Sequence, residues 1–129
     1  MADQISHQND PDLPKPASPF CHVVTDDRYA FLAGRVAADL AEGRDALGNI
    51  AAETELVMRS IHETLAQMNL GMDRVVRVDV HLLDLGEIAA MDAVYRRFFA
   101  EGAYPARTCT QAGRLYGGCR IEVTCIARL

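Results

Sequence analysis

The sequence predicts a single α/β (α+β) domain with the element order β-β-α-β-α-β-β, a mixed sheet carrying two helices on one face. Three observations predict it. Residues 50–68 and 88–99 repeat apolar side chains at helical spacing, five other segments alternate or run β-branched and aromatic, and Gly, Asn and Asp fall at the breaks. With 129 residues, 50% apolar and 24% charged, the chain has enough material for one core and no room for a second domain.

Residues 1–12 are expected to be a disordered tail, with residues 13–129 forming the domain. Met1 to Pro19 holds four prolines and no apolar run, so it reads as neither signal peptide nor membrane anchor, and a cytoplasmic location is expected. Leu13 to Phe20, with its spaced prolines, is expected to lie extended along a surface. Phe20–Val24 and Tyr29–Ala33 then read as two strands joined by the turn Thr25-Asp26-Asp27-Arg28. Gly34, Gly43 and Gly48 punctuate a loop. Asn49 stands at the N-cap of a helix whose stripe is Ile50, Thr54, Val57, Met58, Ile61, Leu65 and Met68. That helix should stop near Asn69, with Gly71 as the left-handed residue beyond it.

Val75 to Leu83 alternates, with Val76, Val78, Val80 and Leu82 expected on one face. Arg77, Asp79 and His81 share the other face with Val75 and Leu83, a mixture suited to an interface. Asp84-Leu85-Gly86-Glu87 has the form of a capping box before Ile88, Met91, Tyr95, Phe98 and Phe99, a second amphipathic helix ending near Gly102. Pro105 to Gln111 is extended, Gly117-Gly118 turns the chain, and Arg120 to Arg128 places Ile121, Val123, Cys125 and Ala127 on one face. Two helices on one side leave the other sheet face uncovered, and homo-oligomerisation is the simplest cover.

Composition narrows the chemistry. Thirteen Lys plus Arg against eighteen Asp plus Glu give a net charge of −5, which argues against a nucleic-acid partner. Lys15 is the only lysine, and Ser6, Ser18 and Ser60 offer no nucleophile elbow, so Schiff-base and serine-hydrolase chemistry are disfavoured. Cys21, Cys109, Cys119 and Cys125 are expected as reduced thiols. Cys21 and His22, adjacent on a strand, point to opposite faces and make a poor start for a metal site, so no metal is expected. His62 and His81 read as surface or interface residues, Asp26-Asp27 as turn chemistry, and Glu53 with Glu55 as solvated helix surface.

The informative segments are Pro105-Ala106-Arg107-Thr108-Cys109 and Arg120-Ile121-Glu122-Val123-Thr124. Strand parity puts Arg107, Cys109 and Gln111 on one face, and Glu122 and Thr124 opposite Ile121, Val123 and Cys125. If the last two strands pair through the Gly117-Gly118 turn, a guanidinium, a thiol and a carboxylate converge. Arg107 would clamp a small carboxylate through its planar fork while Glu122 relayed protons, with no cofactor required. The plainer readings stand beside this one: Arg107 salt-bridging Glu122, and Cys109 as an inert wall residue.

These residues resemble the RidA/YjgF family of reactive-intermediate deaminases, also called the endoribonuclease L-PSP family. The resemblance runs from about Pro19 to Leu129 and is carried by Tyr95-Arg96-Arg97-Phe98-Phe99, by Pro105 to Cys109, and by Ile121-Glu122-Val123 closing with Ile126-Ala127. It implies a chorismate-mutase-like fold, a homotrimer around a central β-barrel, and clefts between subunits. It also implies hydrolysis of enamines and 2-imino acids, such as 2-aminoacrylate, to 2-keto acids and ammonia. On that resemblance Arg107, Glu122 and Cys109 are the catalytic residues. Phe20, Ala33, Gly34 and Arg35 join Arg107 and Cys109 in binding substrate. Gly34 matches the family's Ser-Gly-Gln loop whereas Ala33 and Arg35 depart from it, and Phe20 replaces a usual tyrosine. The added charge of Arg35 would suit a dicarboxylate imino acid. The alternatives are a non-catalytic small-carboxylate-binding or regulatory trimer, a ribonuclease, and an oxidant-activated chaperone.

Overall fold

The Asn49 side chain accepts the Ala52 amide at 3.0 Å and so starts the longest helix where its short polar group satisfies an orphan donor. The computed structural model describes residues 4–129. Its elements are β1 (Ser6–Gln8), β2 (Val23–Thr25), β3 (Tyr29–Arg35), α1 (Gly43–Ala46), α2 (Ile50–Ala66), β4 (Val75–Leu82), α3 (Ile88–Tyr95), β5 (Ala106–Gln111) and β6 (Ile121–Arg128). The six strands form one sheet in the order β1-β2-β3-β6-β4-β5. Only β4 and β5 run parallel. This is the predicted mixed sheet with one more strand at its N-terminal edge.

The β2–β3 turn forms as its sequence dictates, with the Asp26 carboxylate accepting the amides of Arg28 at 2.7 Å and Tyr29 at 2.6 Å. Helix α2 lays Val57, Met58, Ile61 and Leu65 on the sheet, and α3 adds Met91 and Tyr95; all are buried against Val78, Val80, Leu82, Ile121, Val123 and Cys125. Each fully buried aliphatic side chain contributes about 1.5–3 kcal/mol, which outweighs the few tenths lost in helix propensity at Val57 and Ile61.

Several expectations are corrected. The described part of the tail is ordered: Ser6–Gln8 pairs antiparallel with β2, and Asp10 is buried. Residues 1–3 of that expectation lie outside the described residues. The left-handed residue after α2 is Asn69, at φ 59°, while Gly71 has φ −90°. The amide of Leu70 reaches the carbonyl of Leu65 at 3.0 Å to close that terminus, a wrap that asparagine tolerates. Asp84 does cap the Gly86 amide at 2.8 Å, but Glu87 turns away to Arg120 Nε at 2.6 Å, so the box is half formed. Glu53 is fully buried rather than solvated, accepting the amides of Gly48 and Arg120 at 2.8 Å each, and it ties the α2 entry to the start of β6.

The largest corrections come from two bulges. Val75 pairs with Ala127 and Arg77 with Ile126, so Val76 is the extra residue; Val75 turns inward and Val76 outward, against strict alternation. Between Leu32 and Arg35 the register with β6 also shifts. The bulge turns Arg35, paired with Val123, onto the helix-covered face.

Candidate functional site

β6 lies between β3 and β4, and β5 is the outer strand beyond β4. The last two strands are therefore not neighbours, and the expected pairing through Gly117-Gly118 does not form. Register fixes the faces. Arg107 aligns with Val78, and Cys109 with Val80, so both share the helix-covered face with the core side chains of β4. Glu122 aligns with His81, which bonds Thr110 at 2.8 Å on the open face. One chain thus holds Arg107 and Glu122 on opposite faces of its sheet.

Arg107 is set by α3, not by Glu122. Its Nη1 donates to Asp92 Oδ1 at 2.6 Å, and its Cζ lies 4.9 Å from the centre of the Tyr95 ring. Asp92 and Tyr95 are three residues apart on α3, so one helical face presents both a carboxylate and an aromatic plane. Burial pushes the guanidinium down, yet the Asp92 hydrogen bond and charge together hold it above its ordinary value. The side chain remains one-quarter exposed, which leaves part of the fork open to a ligand. The Tyr95 hydroxyl is buried without a hydrogen-bond partner among the described residues, and burial pushes it up to about 12 against the opposing charge of Arg107. It is a neutral phenol at physiological pH.

Cys109 sits two residues along β5, half-buried. Burial pushes its thiol up and Arg107 offsets only part of that, so the group is a protonated wall rather than a thiolate. Glu122 is half-exposed and forms no ion pair among the described residues. It packs on Gly34: a methyl there would lie 3.0 Å from the Glu122 carboxyl carbon and Oε2. The β3 bulge therefore serves this contact, and glycine leaves the room the carboxylate occupies. Ala33, half-buried in the same bulge, donates its amide to the His22 carbonyl at 3.0 Å. Phe20 is half-exposed, with its ring edge-on to His22 at 6.1 Å between centroids.

Arg35 is withdrawn from any cleft. It is 2% exposed, and its Nη1 donates to Ser60 Oγ at 3.1 Å and Thr64 Oγ1 at 2.8 Å on α2. Thr64 in turn donates to Asp10 Oδ2 at 2.5 Å, and Asp10 also receives Gln67 Nε2 at 3.0 Å. Arg35 thus anchors the N-terminal segment instead of reaching a ligand.

The expected residues fall into two groups within one chain: Arg107 with Cys109 at the β5 edge, and Gly34 with Glu122 on the open face. Asp92 and Tyr95, which position Arg107, were missed as site residues. The available signal was their spacing, which sets an acid beside the apolar stripe of α3. Among the described residues no group of three or more His, Cys, Asp or Glu is placed to hold a metal ion, and no helix is long and apolar enough to cross a membrane.

The chain is similar to known proteins over nearly its whole length. The chain is 35% identical over 129 residues to Protein DfrA of Myxococcus xanthus, covering 98% of this chain and 96% of that protein. It is 29% identical over 114 residues to the 2-iminobutanoate/2-iminopropanoate deaminase of Capra hircus, covering 88% of this chain and 82% of the goat protein. The crystal structure of an Entamoeba histolytica protein named for endoribonuclease L-PSP superposes with a TM-score of 0.86 at 25% identity, over 98% of this chain and all of that one. The endoribonuclease L-PSP profile matches residues 11–129, nearly the whole chain, and this chain therefore belongs to the endoribonuclease L-PSP family, the RidA/YjgF proteins.

Proposed function

We propose that the protein is a cofactor-independent deaminase that hydrolyses 2-imino acids, formed from enamines such as 2-aminoacrylate, to 2-keto acids and ammonia. The observation that carries this reading is Arg107: a guanidinium placed over the Tyr95 ring and steered by Asp92, part of its fork open at a sheet edge. Such a group grips a planar carboxylate in a fixed orientation. The goat relative's name supplies the reaction class.

Arg107 and Glu122 on opposite faces of one sheet require a second copy to meet. Among the described residues β5 has a neighbour only on its β4 side, and the open face of another subunit, with Gly34 and Glu122, can come against it. A homotrimer with a cleft at each junction satisfies this geometry and covers the open face, where Phe31 and Val76 are exposed. Phe20, Ala33 and the wall provided by Cys109 would shape that cleft.

In the reaction Arg107 holds the carboxylate while Glu122 of the adjoining subunit accepts a proton from water, whose oxygen bonds to the imine carbon. The proton passes to the nitrogen of the resulting carbinolamine. The hydroxyl proton then passes through Glu122 to the departing nitrogen as the C–N bond breaks, so that ammonia leaves and the keto group forms. One water is consumed and no electrons are exchanged with a cofactor.

Formation of 2-keto acid and ammonia from freshly generated 2-aminoacrylate tests the reading. The full chain should accelerate it, and Arg107→Ala should lose about 100-fold or more, the scale of removing one charge-assisted contact at a reacting substrate. Equal rates for both proteins would overturn the clamp. Ligand binding without product would assign the site to a carboxylate-binding trimer instead.

A further inference from the structure

We propose that Asp92 is a resident competitor for Arg107 that sets carboxylate specificity, weakening the hold on a first carboxylate and turning away a second. The inference rests on the deaminase reading of the site and deepens it by naming the residue that sets specificity among carboxylates.

A guanidinium offers two edges at which a pair of parallel N–H groups can meet a carboxylate, one formed by both Nη atoms and one by Nε with Nη2. Asp92 holds Nη1 at 2.6 Å, and Cζ lies over the Tyr95 ring, 4.9 Å from its centre. Nη1 belongs to the end edge, so an arriving carboxylate must share Nη1 with Asp92, use the side edge next to that fixed negative charge, or displace Asp92. Both partners are only about a quarter exposed, so water screens this repulsion incompletely. A substrate whose second charged group is an iminium regains from Asp92 only part of what its carboxylate loses. A dicarboxylate has no such return. Arg35, the other cation that would have welcomed a second carboxylate, is sealed beneath α2 on Ser60 and Thr64.

Asp92 acts through Arg107 and is a positioning residue. Asp92→Asn keeps an oxygen to accept Nη1 and removes the charge, whereas Asp92→Ala removes both. Isothermal titration of the full-length protein with 2-oxobutanoate and 2-oxoglutarate reads the effect directly. Asp92→Asn should bind 2-oxobutanoate about three- to tenfold more tightly and 2-oxoglutarate by a still larger factor. Asp92→Ala should gain less than Asp92→Asn, because the fork is no longer aimed. With the imine substrate, Asp92→Asn should lower KM and leave kcat within about twofold, since the carboxylate is the same in ground and transition states. A merely structural role for Asp92 predicts weaker binding in both variants. If Asp92→Asn binds either keto acid no more tightly than the wild type while Arg107→Ala loses binding, the competitor is overturned and the clamp stands. If Arg107→Ala binds as the wild type does, the clamp reading fails and the competitor with it.

Discussion

Arg35 and Arg107 project from the same, helix-covered face of one sheet and have opposite fates. Arg35 emerges from β3 beneath the long helix α2. Its charge there is sealed in with two hydroxyls and, one bond further, the Asp10 carboxylate, and burial holds the guanidinium below its ordinary value. Arg107 emerges from the outer strand beneath the short helix α3, where a single carboxylate and an aromatic ring leave it open at one side and above its ordinary value. The difference teaches that residue type does not identify a ligand-binding arginine. What identifies it is the distance from the sheet edge and how many neighbours consume its donors.

The largest effect that would break the comparison is on stability. Arg35→Ala leaves Ser60, Thr64 and Asp10 short of a buried cation and should cost about 3 kcal/mol or more, measured by chemical denaturation. A loss under about 1 kcal/mol would show that Arg35 is not the structural member of the pair. Arg107→Ala, made for the turnover assay, should cost only about 1 kcal/mol in the same denaturation experiment, because its partner Asp92 can turn to water.

The smallest effect is on pH. His22 Nδ1 accepts the Asp10 amide at 2.9 Å, so the folded chain holds the imidazole neutral; burial first, then the charge of Arg35, keep it below its ordinary 6.5. The unfolded chain takes up that proton first, so this stabilisation is full above pH 6.5 and is lost as pH falls below it toward the lower folded value. Asp10 acts in a second, lower window. Burial raises its carboxyl, but its bonds from Thr64, Gln67 and the Asp12 amide with the charge of Arg35 carry it below 3.8, so its contribution is lost as pH falls beneath that. Protection factors at the amides of Ser6–Gln8 and Asp10, corrected for the intrinsic pH dependence of amide exchange, should fall between pH 7 and 5 in the wild type. In His22→Gln that change should be absent. No pH dependence in the wild type would remove His22 from the Arg35 network.

Much of the fold was legible because it rests on local chemistry. Asn49 caps its helix, Asp26 builds its turn, and the stripes of α2 and α3 face the sheet as their spacing requires. Glu53 escaped notice because its partners are backbone amides at Gly48 and Arg120, and the second is remote in sequence. The N-terminal strand escaped because its few apolar residues carry no signal of their own; its order comes from β2 and from the buried bonds around Asp10.

The sequence by itself determined the types of strands β2 to β6 and of helices α2 and α3, the core stripes, the hairpin turn and the presence of an arginine, a cysteine and a glutamate on the last two strands. Only the tertiary structure decided which faces they occupy. Parity counting assumes unbroken alternation, and a one-residue bulge in β3 turned Arg35 inward and set Gly34 against Glu122. Strand order is equally beyond local chemistry, because it is settled by which pairings bury the most apolar surface across the whole chain. By inserting β6 between β3 and β4, that order parted Arg107 from Glu122.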